Sequence, residues 1–352
     1  MYRKLTALFD TMDAVLLTAP YHLRYFTGFT GGEGYAVLCR DARYLIVDSR
    51  YTEMAMQEAA AYTVIEYGAG RLYAALQEVC DKNGVRTVGF EDAVLSCRAY
   101  RQLTEALPKL RFTPLGQALS ECRMVKTEEE LAAMRRAEEI GVLAFRHILP
   151  MLKAGTQEVE IAAEIEYFMR KQGASGTSFD TIVVSGVKSS LPHGRAGEKR
   201  LERGDFVTMD FGCVYQGYCS DMTRTVVIGK ASEKQKEIYE TVRRAQEKGL
   251  QTLRAGITGK EADAAARAVI EQAGYGKFFG HSLGHGVGLE IHELPNLSPS
   301  SEIVLKEGMV VTCEPGIYIP DFGGVRIEDM VCIRKDGIEN LTILSKDLLE
   351  LE

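Results

Sequence analysis

Apolar residues in the first third of the chain recur in short blocks, separated by segments where they fall at helical spacing. Residues 14–18, 34–39, 43–47, 63–66 and 87–90 read as strands. Residues 49–61, 72–83 and 99–107 read as helices, the second closed by Asn83-Gly84. Such alternation predicts a small α/β domain with a mixed sheet over residues 1–120. Between 111 and 121 the pattern dissolves around Pro114 and Gly116, which reads as a domain boundary. A long helix then opens after Thr127, where Thr-Glu-Glu-Glu supplies a cap and first-turn acids. Leu131, Met134, Ala137, Ile140 and Leu143 line one face of it. Residues 157–172, 233–255 and 259–273 read as further helices. The rest of 121–352 is strand-like and rich in turns, without regular βαβ alternation, so this larger domain is α+β.

Two of its strand–turn–strand units carry acids. In residues 204–227 a Tyr-Gln-Gly-Tyr centre separates two β-rich runs. A two-residue turn at Tyr215-Gln216 pairs Val214 with Gly217 and so sets Asp210 opposite Asp221. Directly opposed side chains share a face, with Cβ atoms about 4.5–5.5 Å apart. In residues 313–329 a three- or five-residue loop centred on Asp321 opposes Glu314 to Glu328. Surface hairpins often carry acids without function. Here, however, Asp210 lies in Val-Thr-Met-Asp-Phe and Glu314 follows Val-Val-Thr-Cys, which are core-like strands. A buried carboxylate needs a partner or a metal, and two hairpins with the same need favour a divalent cation. The repetition hints at an internal duplication.

Histidines narrow the chemistry. His281, His285 and His292 lie in a glycine-rich stretch that suits loop or extended backbone, and His193 lies in a loop before the first acidic hairpin. His285, flanked by Gly284 and Gly286, is the expected metal ligand, with His292 as a site residue and His281 undecided. His22 and His147 read as ordinary structural or surface residues. Gly280-His-Ser-Leu-Gly284 fits the serine-elbow pattern, but the glycines after it cannot start the helix such an elbow requires. Four carboxylates and an imidazole instead suit two divalent metals, with manganese, cobalt or iron favoured by the oxygen-rich set.

Composition removes other classes. The chain has 352 residues, 46% hydrophobic and 26% charged, with a formal net charge of −7, which gives no footprint for nucleic acid or an anionic membrane. No run approaches the roughly 20 apolar residues that span a bilayer. Eight scattered cysteines form no CxxC pair and, with no export-type leader apparent, fit reduced thiols in a cytoplasmic protein.

The order Asp210, Asp221, His285, Glu314, Glu328 resembles the pita-bread metallopeptidases, in the contexts Met-Asp-Phe-Gly, Ser-Asp-Met-Thr-Arg, Gly-His-Gly-Val-Gly, Glu-Pro-Gly-Ile-Tyr and Val-Arg-Ile-Glu-Asp. Leu23-Arg-Tyr-Phe-Thr-Gly-Phe-Thr-Gly and Val47-Asp-Ser-Arg-Tyr51 resemble the creatinase-type N-terminal domain, which points to prolidases and Xaa-Pro aminopeptidases. The resemblance implies a pita-bread domain over 121–352 behind a creatinase-type domain over 1–120. It implies that Asp210 chelates one metal, that Asp221 and Glu328 bridge two, and that His285 and Glu314 complete the other shell. Glu314 is then the proton shuttle, while His193 and His292 bind substrate and support the tetrahedral intermediate. Arg326 steadies the substrate side or the ligands, with Thr223 behind the bridging acids.

The implied cofactors are two divalent ions, Mn2+ ahead of Co2+, Zn2+ or Fe2+. The implied partners are small peptides with proline second and another copy of the chain in a homodimer, with no nucleic acid and no membrane. The expected activity is that of an Xaa-Pro aminopeptidase, with an Xaa-Pro dipeptidase (prolidase) as the alternative. A metal-free creatinase-like hydrolase and a non-catalytic binding module are rivals, although such relatives lack the full ligand set, which is intact here.

Overall fold

In the computed structural model the described residues are 2–352, with side chains described from Lys4 onward, and the chain divides into units Met1–Arg123 and Met124–Glu352. The first unit holds β1 (Ala14–Leu17), α1 (Pro20–Thr27), β2 (Tyr35–Cys39), β3 (Arg43–Val47), α2 (Thr52–Glu58), β4 (Thr63–Glu66), α3 (Leu72–Lys82), β5 (Thr87–Phe90), α4 (Cys97–Ala106) and β6 (Arg111–Pro114). One mixed sheet runs β4-β3-β2-β1-β5-β6, with β1 parallel to β5 and antiparallel to β2. Leu16, Val37, Ile46 and Val88 of the sheet pack against Leu76 and Val79 of α3 and Leu103 of α4.

Two elements depart from the sequence pattern. Helix α1 was not foreseen, although Pro20 sits at its start and Gly28 ends it in the left-handed region at φ 84°. Residues 111–121 do not dissolve into a linker: β6 pairs in parallel with β5 and α5 (Ala118–Met124) follows. Pro114 is compatible with this because β6 is the sheet edge, where a missing N–H costs no ladder bond.

The second unit begins with α6 (Glu128–Ile148), opened by a capping box. Thr127 Oγ1 accepts from the Glu130 N–H and the Glu130 carboxylate accepts from the Thr127 N–H. Then come α7 (Glu158–Lys171), β7 (Gly176–Thr177), β8 (Ile182–Ser185), β9 (Phe206–Phe211), β10 (Cys213–Tyr215), β11 (Tyr218–Cys219) and β12 (Met222–Ile228). The second half repeats the theme. It has two helices, α8 (Glu233–Thr252) and α9 (Gly259–Gln272), and strands β13 (Gly284–Gly286), β14 (Glu293–Leu297), β15 (Val310–Cys313), β16 (Gly316–Ile319), β17 (Gly323–Arg326), β18 (Asp329–Arg334), β19 (Gly337–Asn340) and β20 (Glu350–Leu351). A helix pair followed by an interrupted acidic hairpin thus occurs in each half, as the duplicated motif suggested.

Sheets β20-β12-β9-β8 and β14-β13-β15-β18-β19 carry the two hairpins. Ile140, Phe145 and Ile161 of the first helix pair pack on Met209 and Val226. Leu250, Ala262 and Ala266 of the second pack with Val311 and Val331. These strands are buried on every residue of β9 and β12, so any acid they carry is held away from water.

The first hairpin's register differs from the sequence expectation. Tyr215 pairs with Tyr218, so the turn is Gln216-Gly217, and Asp210 faces Thr223 rather than Asp221. Both turn residues have positive φ, 47° and 79°, and glycine suits the second of these positions. Moving the turn by one residue shifts the pairing by two, which leaves every side chain on its original face. Asp221 therefore lies diagonally across from Asp210. The second hairpin follows the expected register, with Gly316 opposite Arg326 and Cys313 opposite Asp329, so Glu314 and Glu328 oppose each other across a gap between strands.

Candidate metal centre and active site

Strand ends bring the acids together. Asp210 lies near the end of β9, Asp221 just before β12, and Glu328 between β17 and β18. Each offers a carboxylate oxygen within 4.8 Å of the others, and all three are buried. His285 of β13 points its Nε2 at Asp221 Oδ2 (3.5 Å) and Glu314 Oε1 (3.4 Å), which joins the fourth acid to the cluster. His285 Nδ1 lies 3.1 Å from the Gly286 carbonyl, which can only accept, so Nδ1 carries the proton and Nε2 presents a lone pair. The expected ligand residues thus lie around one point.

The donors are tied from behind. Thr223 Oγ1 donates to Glu328 Oε2 at 2.7 Å and accepts from Arg326 Nε at 3.0 Å. Arg326 also donates to Asp210 Oδ2 (2.5 Å) and to the Tyr318 hydroxyl (2.7 Å). Thr312 Oγ1 accepts from the His285 N–H (3.1 Å) and donates to Glu314 Oε1 (3.0 Å). Buried Arg224 holds the Thr223 and Glu328 carbonyls and pairs with Asp329 at 2.8 Å. Buried Glu138 of α6 accepts the Asp221 N–H (3.2 Å) and the Thr342 hydroxyl (2.6 Å).

Two oxygens are left over. Asp210 Oδ1 and Glu328 Oε1 are buried and accept no hydrogen bond, a costly state for a carboxylate. Burial, reinforced by the facing charges of Glu328, Asp210 and Glu314, drives the Asp221 carboxyl well above the usual carboxylate range. Burial and the Glu314 and Asp210 charges do the same to Glu328, and burial raises Glu314 to about 7. A group of acids that oppose one another's ionisation, with bare oxygens and an available imidazole nitrogen, fits hard divalent cations. The residues can hold such ions.

A cavity of about 900 Å³ opens onto this cluster, and His193, His281, His292 and Arg326 all line it. The His292 ring stands edge-on to His285, with centroids 4.3 Å apart. Burial keeps the His292 pKa below its ordinary value. His281, undecided from sequence, is committed elsewhere: Nδ1 donates to the Ser282 carbonyl (2.8 Å) and Nε2 accepts from Tyr318 (2.9 Å). It ends a chain from Arg326 through Tyr318, and burial lowers its pKa to about 4. Ser282 precedes β13 rather than a helix. His22 pairs with Glu91 (2.5 Å) in the first unit, and His147 pairs with Glu164 (2.7 Å) and stacks on Phe168.

Sequence reading assigned no role to Tyr318, Thr312, Glu138 or Arg224. Thr312 was detectable, because it shares a strand face with Glu314 two residues on. Glu138, in contrast, reaches Asp221 from a helix 83 residues upstream, which no local pattern reveals.

Comparison with known proteins gives matches along nearly the whole length. Residues 132–335 match metallopeptidase family M24, and residues 8–125 match the creatinase/prolidase N-terminal domain. The chain is 42% identical over 341 residues to the Xaa-Pro dipeptidase of Pyrococcus furiosus, covering 97% of this chain and 96% of that one. Among solved structures it is similar to an Xaa-Pro dipeptidase from Bacillus anthracis (TM-score 0.97, 44% identity, 99% of each chain). It is also similar to an X-Pro aminopeptidase from Thermotoga maritima (TM-score 0.93, 41% identity, 99% of this chain and 100% of that one).

Proposed function

The chain belongs to metallopeptidase family M24 and carries a creatinase/prolidase N-terminal domain, and on that premise we propose that it is an Xaa-Pro dipeptidase that hydrolyses the bond before proline. The observation that carries the chemistry is the buried trio Asp210, Asp221 and Glu328, two of its oxygens orphaned, with the open nitrogen of His285 turned to Asp221 and Glu314. The relatives named Xaa-Pro dipeptidases weigh toward the dipeptidase, the alternative in the sequence analysis, over the aminopeptidase it preferred.

In this reading Asp210, Asp221, His285, Glu314 and Glu328 would hold two divalent cations. Such ions, manganese being favoured by the oxygen-rich donors, supply Lewis acidity that acidifies a water and polarises the scissile carbonyl. Thr312 donates to Glu314 Oε1, so Oε2 is the atom that would take a proton from the attacking water and return it to the proline nitrogen. His193 and His292 bind the substrate across the cavity and steady the charge that develops on its carbonyl oxygen. Arg326 holds Asp210, and Thr223 holds Glu328. The border near residue 120 then separates a creatinase-type N-terminal domain from the hydrolytic one, in a homodimeric, cytoplasmic enzyme. Six buried cysteines out of eight suit a reducing compartment.

The test is hydrolysis of Ala-Pro and Ala-Pro-Ala by metal-stripped protein, with and without manganese. Manganese-dependent cleavage of Ala-Pro alone is expected. Cleavage of both peptides returns the aminopeptidase. If neither is cut and elemental analysis of the purified protein finds no metal, a creatinase-like or binding role takes over.

A further inference from the structure

The cavity beside the acid cluster is lined by only two guanidinium or ammonium groups among the described residues, Arg326 and Arg195. Arg326 is fully used. It is buried and donates to Asp210, Tyr318 and Thr223, with the Pro192 carbonyl at 3.4 Å. Arg195 is in the opposite condition. Its side chain is 88% exposed, and the ion pair it makes, with the 92% exposed Asp180, is 3.9 Å long. A pair that open and that long contributes little and exchanges readily.

A dipeptide ending in proline carries its carboxylate separated from the scissile nitrogen only by the proline Cα. That carboxylate must therefore lie in the same cavity when the scissile bond sits at the acid cluster. The acid cluster and the ions it would hold take the scissile end of the substrate, so recognition of the free carboxylate calls for a separate cation at the cavity that is free to turn toward it. Arginine suits the task because its planar fork meets a carboxylate with two parallel hydrogen bonds. Resting on the dipeptidase reading above, we propose that Arg195 reads the free C-terminal carboxylate of the substrate, displacing Asp180 as its partner. Asp180 is only a weak resting partner, so the substrate carboxylate can replace it. Arg195 thus determines specificity for a free carboxylate over an extended or blocked chain.

The experiment compares Ala-Pro with Ala-Pro-amide, which lacks the carboxylate, on manganese-loaded wild type, Arg195→Ala, Arg195→Lys and Asp180→Asn. Arg195→Ala should raise KM for Ala-Pro about tenfold or more, leave kcat within about twofold, and leave kcat/KM for the amide unchanged. The wild-type preference for the acid over the amide should vanish in that variant. Arg195→Lys should restore part of it, and Asp180→Asn should change KM for Ala-Pro by no more than about twofold. Equal losses on both substrates, or an unaltered KM for Ala-Pro in Arg195→Ala, overturn the assignment while leaving the dipeptidase reading standing. A wild type that is inert toward Ala-Pro overturns both.

Discussion

At the scale of single residues, the site is a problem in buried charge. Asp221 and Glu328 are crowded by other acids; Glu138 holds the Asp221 backbone N–H, and a set of donors behind Glu328 keeps its oxygen in place. Thr223 is central to that set, since one hydroxyl both serves Glu328 and accepts from Arg326. Thr223→Val keeps the shape and removes both bonds. Outer partners of this kind typically change metal affinity or activity about 10–100-fold. Manganese titration followed by calorimetry should show a loss of that size in Thr223→Val with the urea midpoint of the apoprotein little changed; an unaltered affinity would show that Glu328 is positioned by something else. That Asp210, Asp221 and Glu328 share one buried site was legible in the sequence, because ionisable side chains in apolar strands have few explanations. The fate of His281 was not, because its partner Tyr318 lies 37 residues away.

Elements decide how accurately those residues are placed. Short strands such as β3, β4 and β5 were legible because apolar blocks bounded by turn residues have one reading. Helix α1 is only eight residues long, so its buried face, Leu23 and Phe26 with Thr27, has no room to repeat along the sequence. The first acidic hairpin was legible in face and mistaken in register, because pairing depends on which two residues adopt positive φ. The second was legible in both, since its loop is Pro320-Asp321-Phe322, centred on Asp321 at φ 62°, with Gly323 and Gly324 already in β17. Strand β13 shows how little room this construction leaves: a Cβ on Gly284 would lie 2.1 Å from the Thr312 carbonyl oxygen. Gly284→Ala must push β13 off β15 and take His285 with it. A displacement near 1 Å can cost about 100-fold in rate. We expect kcat/KM to fall by that order and the urea midpoint to drop. Gly280→Ala, whose Cβ would meet nothing within 4 Å, should keep both values.

Across the whole molecule, stability rests partly on buried ion pairs between distant segments, which composition and net charge do not disclose. Glu91, at the end of β5, is one such anchor. It accepts from His22 Nδ1, from the Ala19 N–H (3.0 Å) and from the N–H and hydroxyl of Thr18, so it holds the β1–α1 corner to the sheet. Burial by itself would raise its pKa, but the His22 bond and charge and the backbone donors prevail, and the pKa is lowered. A carboxyl with a depressed native pKa stabilises the fold above its unfolded value, about 4.3 for glutamate. That contribution disappears as pH falls through the native value. Glu91→Gln keeps the shape and loses the charge, so at pH 7 it should cost about 2 kcal/mol, the scale of charge-assisted hydrogen bonds. The difference in Tm between wild type and variant should be present above about pH 5 and close below that, as the wild-type carboxyl takes up its proton. A gap that stayed constant down to pH 3 would assign the loss to packing at the corner instead of to the carboxylate, because packing does not titrate.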